Sequence, residues 1–347
     1  MAPTTLSAYR KGINLGGWLS QYGDAGEGHF ARFITEADIR RIADWGMDHV
    51  RLPVDCTVLE ERDAPHGFIE AGFARIDDCI AWCERAGLNL ILDLHKAPGY
   101  SFDNLAANEL FRSPALQARM LRIWKTLATR YADRYPRMVF ELMNEVVLPD
   151  SGPWNTLIHE IVPAIHAIDP KRLVMVGGNH YNAVHELANL RRFDDPRVLY
   201  TFHFYEPLPF THQGAHWVPE LVAYGQVLDY PGPMEGLGAF LAGNPAARER
   251  LGAFKDMTGD RKELRTLLLP ALEFMQAHKV PLYCGEFGVI ETAPAGSRRR
   301  WHADIVDLFN EYGIGRAVWS YKEMDFGLVD ARGKVRDPEL VSIIARG

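Results

Sequence analysis

Eight short runs rich in Val, Ile, Leu and aromatic residues, each followed by a loop and an amphipathic stretch, constrain the fold of this chain more than any other feature. They read GINLGGW (12–18), HVRLPVD (49–55), NLILDLHK (89–96), MVFELMNEV (138–146), RLVMVGGN (172–179), VLYTFHFYEP (198–207), PLYCGEFGV (281–289) and GRAVWSYKE (315–323). Strands that alternate with helices pair in parallel, because each crossover returns the chain to the same edge. Eight such units in 347 residues predict a closed (β/α)8 barrel, a TIM barrel, in preference to an open doubly wound sheet. The open sheet also lacks its usual marks: no G-x-G-x-x-G follows the first strand, and no G-x-x-x-x-G-K-[ST] occurs. GDAGEG (23–28) has glycines at the wrong spacing and reads as a loop.

Helix punctuation supports the alternation. In TEADIRRIADWGM Thr35 reads as an N-cap with Asp38 three residues on, and in SPALQARMLRIWKTLATRYAD Pro114 falls in the first turn. One connection is long. About 55 residues (208–262) separate the sixth strand from KELRTLLLPALEFMQAHK, and they carry Trp217, Tyr224, Tyr230 and a short helical pattern at NPAARERLGAFKD. A structureless loop of that length is rare inside a compact domain, so a small inserted lobe over the barrel mouth is expected, within a single catalytic-sized domain spanning 1–347.

The charge pattern narrows the possible partners. A net charge of -7 without blocks of like charge gives no electrostatic footprint for nucleic acid or anionic membrane, and SRRR (297–300) reads as a solvated helix face. No stretch approaches the roughly 18 to 20 apolar residues of a membrane span. The opening MAPTTLSAYRKG has no charged segment followed by an apolar one, which leads us to expect a cytoplasmic protein while leaving other export routes open. A monomer is expected. Four cysteines lack C-x-x-C spacing, and Cys79 and Cys83 share a helix face with Ile76 and Ile80 as core thiols.

In barrels of this kind chemistry collects at the carboxyl ends of the strands. Those ends carry Arg51, Asp93 with His95, Asn144 with Glu145, Asn179, His203 with Tyr205, Glu286 and Trp319. Packing accounts for any one of these residues, but a shared rim accounts for all of them together. Glu145 and Glu286 are the candidate catalytic pair, since two carboxylates facing each other over a cleft can protonate a glycosidic oxygen and attack the sugar carbon or activate water. Arg51 is placed to keep a neighbouring carboxylate ionised, Asn144 to donate to a sugar hydroxyl, and Trp319 to offer a flat face to a pyranose ring. His95, His203 and Tyr205 supply hydrogen bonds for hydroxyls and for the two glutamates. Gly285 and Gly288 are expected to let a ligand approach the backbone. Glu141 reads as an ion-pair partner.

NLGGW, HVRLPVD, LDLHKAPG, FELMNEV, HFYEP, YCGEFGV and AVWSYK, in this order, resemble family 5 glycoside hydrolases, the cellulase family, and within it free clostridial endo-β-1,4-glucanases. The resemblance runs nearly end to end and includes the insertion around THQGAHW. It implies a retaining barrel enzyme acting on β-glucan oligo- or polysaccharides without metal or cofactor. It also implies Glu145 as general acid/base and Glu286 as nucleophile, with Arg51, His95, Asn144, His203, Tyr205 and Trp319 around the cleavage point and Trp217 as a sugar platform. The segment KEMDFGLVDARGK (322–334) fits that pattern least, which leaves linkage preference open. Exo-acting glucosidase, β-1,3-glucanase and mannanase activities remain within the same class. A non-catalytic sugar-binding barrel and a metal-dependent hydrolase drawing on Asp93, His95 and His203 are the readings from other classes.

Overall fold

The computed structural model describes residues 6–23, 26–61, 67–132 and 137–347. Eight parallel strands close a barrel in chain order: β1 (Lys11–Asn14), β2 (His49–Asp55), β3 (Asn89–Lys96), β4 (Met138–Glu141), β5 (Leu173–Gly177), β6 (Val198–Phe204), β7 (Leu282–Phe287) and β8 (Gly315–Val318). β1 pairs with both β2 and β8, which closes the ring.

The expected strands are all present, but several end early. β4 stops at Glu141, so Asn144 and Glu145 lie beyond it. An apolar run remains a strand only while both neighbours continue the ladder. Past Glu141 the chain keeps single bonds, Leu142 N to Met175 O (3.1 Å) and Asn144 N to Leu94 O (3.1 Å), and these anchor it to β5 and β3 while it turns over the rim.

Inward-facing side chains fall into two zones. At the lower end Ile91, Val139, Met175, Leu199, Tyr283 and Ala317, one from each of six strands, pack with Leu6 and Tyr9 into a closed apolar floor. The upper zone holds the charged groups described below. The outward faces of the strands bury against the helices in a separate, larger core.

The helix between β2 and β3, Glu70–Ala86, carries Cys79 and Cys83 fully buried in that core. Thr35 and Asp38 form the expected capping box on Glu36–Asp44, and Ser113 accepts from Leu116 N to start Pro114–Tyr131. Two expectations need correction. The 261–278 stretch is two helices, Arg261–Leu267 and Leu269–His278, because Pro270 has no N–H to continue the first. GDAGEG is not all loop: residues 24 and 25 lie outside the described residues, and a helix begins at Glu27.

The 208–262 insertion folds into short helices, Leu208–Thr211, Pro219–Tyr224, Leu237–Gly243 and Arg248–Leu251. Leu221, Leu237 and Leu251 are buried among them, and the Tyr224 hydroxyl donates to Glu235 O at 2.5 Å. No helix among the described residues is long and apolar enough to cross a membrane.

Candidate active site

The site is built around one guanidinium. Alternation along β2 turns His49 and Arg51 into the lumen, and Arg51 is completely buried. Its Nε and Nη2 donate to the two oxygens of Glu141 (2.7 and 3.0 Å), Nη1 donates to Glu286 Oε1 (2.8 Å) and Asn14 Oδ1 (2.9 Å), and Nη2 also reaches Asn144 Oδ1 (2.8 Å) and Asp93 Oδ2 (3.1 Å). A planar donor fork suits this arrangement where an ammonium would not. Three carboxylates share this cation, and burial pushes Asp93, Glu141 and Glu286 each up to about 7 against its pull.

A register shift brings the candidate catalytic pair together. Between β6 and β7 the pairing passes from Phe202–Cys284 to His203–Glu286, which leaves Gly285 as an extra residue and turns Glu286 toward the lumen. Its second oxygen accepts from the Tyr205 hydroxyl at 2.9 Å. Glu145 lies across the cleft with His203 Nδ1 2.9 Å from its Oε1. One oxygen of each glutamate and a ring nitrogen of His203 all lie within 4.8 Å of one another. Burial and then the charge of Glu286 raise Glu145 well above the ordinary carboxylate range. The two acids are thus held differently: among the described residues Glu286 meets a cation and a phenol, and the Glu145 carboxyl meets an imidazole.

Burial and then Arg51 hold His95 and His203 well below the usual imidazole range. His95 Nδ1 lies 2.6 Å from Asp93 Oδ2, and its ring stacks on Trp319 at 5.7 Å between centroids with 3° between planes. Three donors that a metal would need are already engaged: Arg51 and Tyr205 take the two oxygens of Glu286, and Glu145 takes Nδ1 of His203.

The remaining expectations divide. Arg51, His95, Asn144, Glu145, His203, Tyr205, Glu286 and Trp319 converge on one mouth. Trp217 is 43% exposed on the insertion and reaches that mouth through aromatic neighbours: it lies 6.1 Å from His212 and 6.4 Å from Phe326, and both of those rings touch Tyr205. Phe326 comes from the 322–334 segment. Asn179 does not join the site; it clamps the chain after β4 by exchanging hydrogen bonds with Leu148 N (2.8 Å) and O (3.0 Å). Gly285 and Gly288 do not open the backbone to a ligand. A β-carbon on Gly285 would meet His203 Nε2 and Thr201 Oγ1 at 3.1 Å, and one on Gly288 would meet Trp319 O at 2.7 Å, so both glycines make room for protein.

Sequence reasoning missed two residues. Asn14 accepts from Arg51 and donates to Gly285 O (2.9 Å), linking β1 to the β7 register shift; its signal was a polar side chain ending the first strand inside NLGGW's own run. Asn182 faces His203, and no periodicity marked it.

With this geometry in place, the relationship of the chain to known proteins is direct. Residues 7–325 match the family described as Cellulase (glycosyl hydrolase family 5). The chain belongs to that family. It is a glycoside hydrolase, 46% identical over 341 residues to Endoglucanase C of Acetivibrio thermocellus, with 98% of this chain and 99% of that protein aligned. It is 36% identical over 338 residues to Cellodextrinase A of Ruminococcus flavefaciens, covering 96% and 92%. The Thermotoga maritima Cel5A structure in complex with cellobiose superposes with a TM-score of 0.75 at 26% identity over 97% of each chain.

The raised carboxylates set a pH dependence of stability. A folded pKa above the unfolded value of about 4 means that the native state binds the proton more tightly, so the stabilisation is full below that value and is lost as pH climbs to about 7. The thermal midpoint of the wild-type protein is expected to fall from pH 5 to pH 8, and Glu141→Gln is expected to flatten that slope. Midpoints by scanning calorimetry at both pH values check this.

Proposed function

We propose that the chain is a retaining endo-β-glucanase that hydrolyses β-1,4 linkages in cellulose-like or mixed-linkage β-1,3/1,4-glucans by double displacement. The observation that carries this reading is the close approach of the Glu145 and Glu286 oxygens, within 4.8 Å. Carboxyl groups about 5 to 5.5 Å apart suit direct attack on the sugar, whereas inversion needs about 6.5 to 9.5 Å to admit a water. The names of the endoglucanase relative and of the cellobiose complex point to β-1,4-glucans.

In the first step a Glu286 oxygen bonds to the anomeric carbon while the glycosidic C–O bond breaks, and the departing oxygen takes the proton of Glu145. Arg51 and Tyr205 favour the ionised, correctly turned nucleophile. Once Glu286 is esterified its negative charge is gone, and with it one of the causes that raised Glu145. Glu145 then holds a proton less tightly and stands ionised, the form a general base needs. In the second step it takes a proton from water, whose oxygen displaces Glu286 from the sugar. Asn144 spends its oxygen on Arg51, which leaves its amide N–H groups for a sugar 2-hydroxyl, an interaction that strengthens at the transition state. Trp319, braced by His95, offers a ring face to the sugar, and Trp217 on the insertion extends the platform outward.

Shorter substrates form a second reading, favoured by the cellodextrinase relative and by an insertion that can close one end of the cleft. Product lengths from barley-type glucan, carboxymethyl cellulose, laminarin, mannan and short cello-oligosaccharides separate the two: scattered products on the polymers mean endo action, and one small sugar means exo action. Trp217→Ala is expected to raise KM on long chains several-fold more than on the shortest cleaved oligosaccharide.

Glu286→Gln is expected to bind oligosaccharide and lose turnover by at least about 10³-fold, because no other group can form the sugar ester. Glu145→Ala is expected to lose about 10²- to 10⁴-fold on a cello-oligosaccharide but far less on an aryl glycoside with a good leaving group, and to lose the alkaline limb of kcat/KM. Steady-state kinetics across pH check both. Near-normal turnover by Glu286→Gln would end the assignment.

A further inference from the structure

We propose that Asn182 is a positioning residue that fixes the tautomer of His203 and thereby puts the acid proton of Glu145 on Oε2, the oxygen that His203 does not touch. This proposal rests on the reading of Glu145 as the general acid. The argument begins with donors and acceptors. Asn182 Nδ2 lies 3.3 Å from His203 Nε2, and an amide NH2 can only donate, so Nε2 accepts and the ring proton sits on Nδ1. Nδ1 in turn lies 2.9 Å from Glu145 Oε1 and donates to it. An oxygen receiving that bond has no room for its own proton on the same side, so the proton of a neutral Glu145 resides on Oε2.

The opposite tautomer would be damaging. With the proton on Nε2, Nδ1 becomes an acceptor and draws the Glu145 proton onto Oε1, away from the glycosidic oxygen. Arg51 from β2 and His95 from β3 oppose a positive ring, and the carboxylates at Nδ1, Glu145 and Glu286 with an oxygen 3.7 Å away, accept from an Nδ1–H and so favour the same tautomer from the other side of the ring.

The backbone indicates that this contact is held in place. His180, Tyr181 and Asn182 form three consecutive left-handed residues (φ 47°, 61° and 55°), a conformation that His and Tyr side chains rarely adopt. The run begins three residues past the end of β5 and carries Asn182, completely buried, to His203. Gly177 leaves the space for it: a β-carbon there would stand 2.3 Å from Asn182 Oδ1. Strained backbone that persists beside chemistry marks a place where position matters.

The test uses the whole enzyme labelled with ¹⁵N-histidine, with the His203 signals assigned from a His203→Gln sample. The wild type is expected to show a protonated, pyrrole-type Nδ1 and a pyridine-type Nε2 at pH 6 to 8. A pyrrole-type Nε2 in the wild type overturns the proposal without any variant. Asn182→Asp, which accepts from Nε2 in place of donating to it, is expected to reverse or equalise the two signals. It is also expected to lower kcat on a cello-oligosaccharide at least tenfold more than on an activated aryl cellobioside, with the alkaline limb of its pH profile displaced. Equal losses on both substrates from a folded Asn182→Asp overturn it as well. Failure of the underlying reading looks different: Glu145→Ala would then lose activity equally on both substrates, whatever the wild-type tautomer.

Discussion

A single buried guanidinium organises this molecule. Arg51 reaches five side chains from four other strands or their ends, namely Asn14, Asp93, Glu141 with Asn144, and Glu286, and each contact gives a partner to a polar atom inside the barrel lumen. The arrangement is weak evidence for stability, since removing charges from water costs about as much as their pairing returns. Its value is positional. It fixes the orientation of Glu286 and leaves Glu145 beside His203, its carboxyl held well above the usual range by burial and by the charge of Glu286. The two glutamates differ in their neighbours and not in their chemistry.

Much of this was legible in the chain itself. The eight-fold alternation gave the barrel, because buried parallel strands write themselves as apolar runs. Polar residues at the ends of those runs gave most of the rim, because the carboxyl end of a barrel strand is where a side chain meets the mouth. Where the reading failed, the cause was contact across the barrel. Whether the run after Glu141 stays in a strand depends on ladders with β3 and β5, and Asn179 looked like its neighbours in sequence while its side chain was taken up by Leu148. Asn182 had no sequence signature because a left-handed turn of non-glycine residues has none.

The glycines of YCGEFGV make the same point about mechanism of fit. Both were expected to admit a ligand, and both admit protein: Gly285 gives His203 its place, and Gly288 lets β7's exit pass the carbonyl of Trp319. The register shift at Gly285 is therefore what aims Glu286. The segment 322–334, opaque in sequence, contributes Phe326, whose ring joins Tyr205 to the exposed Trp217. The outermost aromatic and the phenol that holds Glu286 are two contacts apart.

The apolar floor of the barrel carries a consequence for the second chemical step. Leu6, Tyr9 and the inward residues of six strands pack into one buried apolar layer beneath the charged mouth. In the proposed double displacement, water reaches the bound sugar at the mouth that the severed half of the sugar chain has to vacate. A fragment slow to depart would hold that opening, and re-forming a glycosidic link would then compete with hydrolysis.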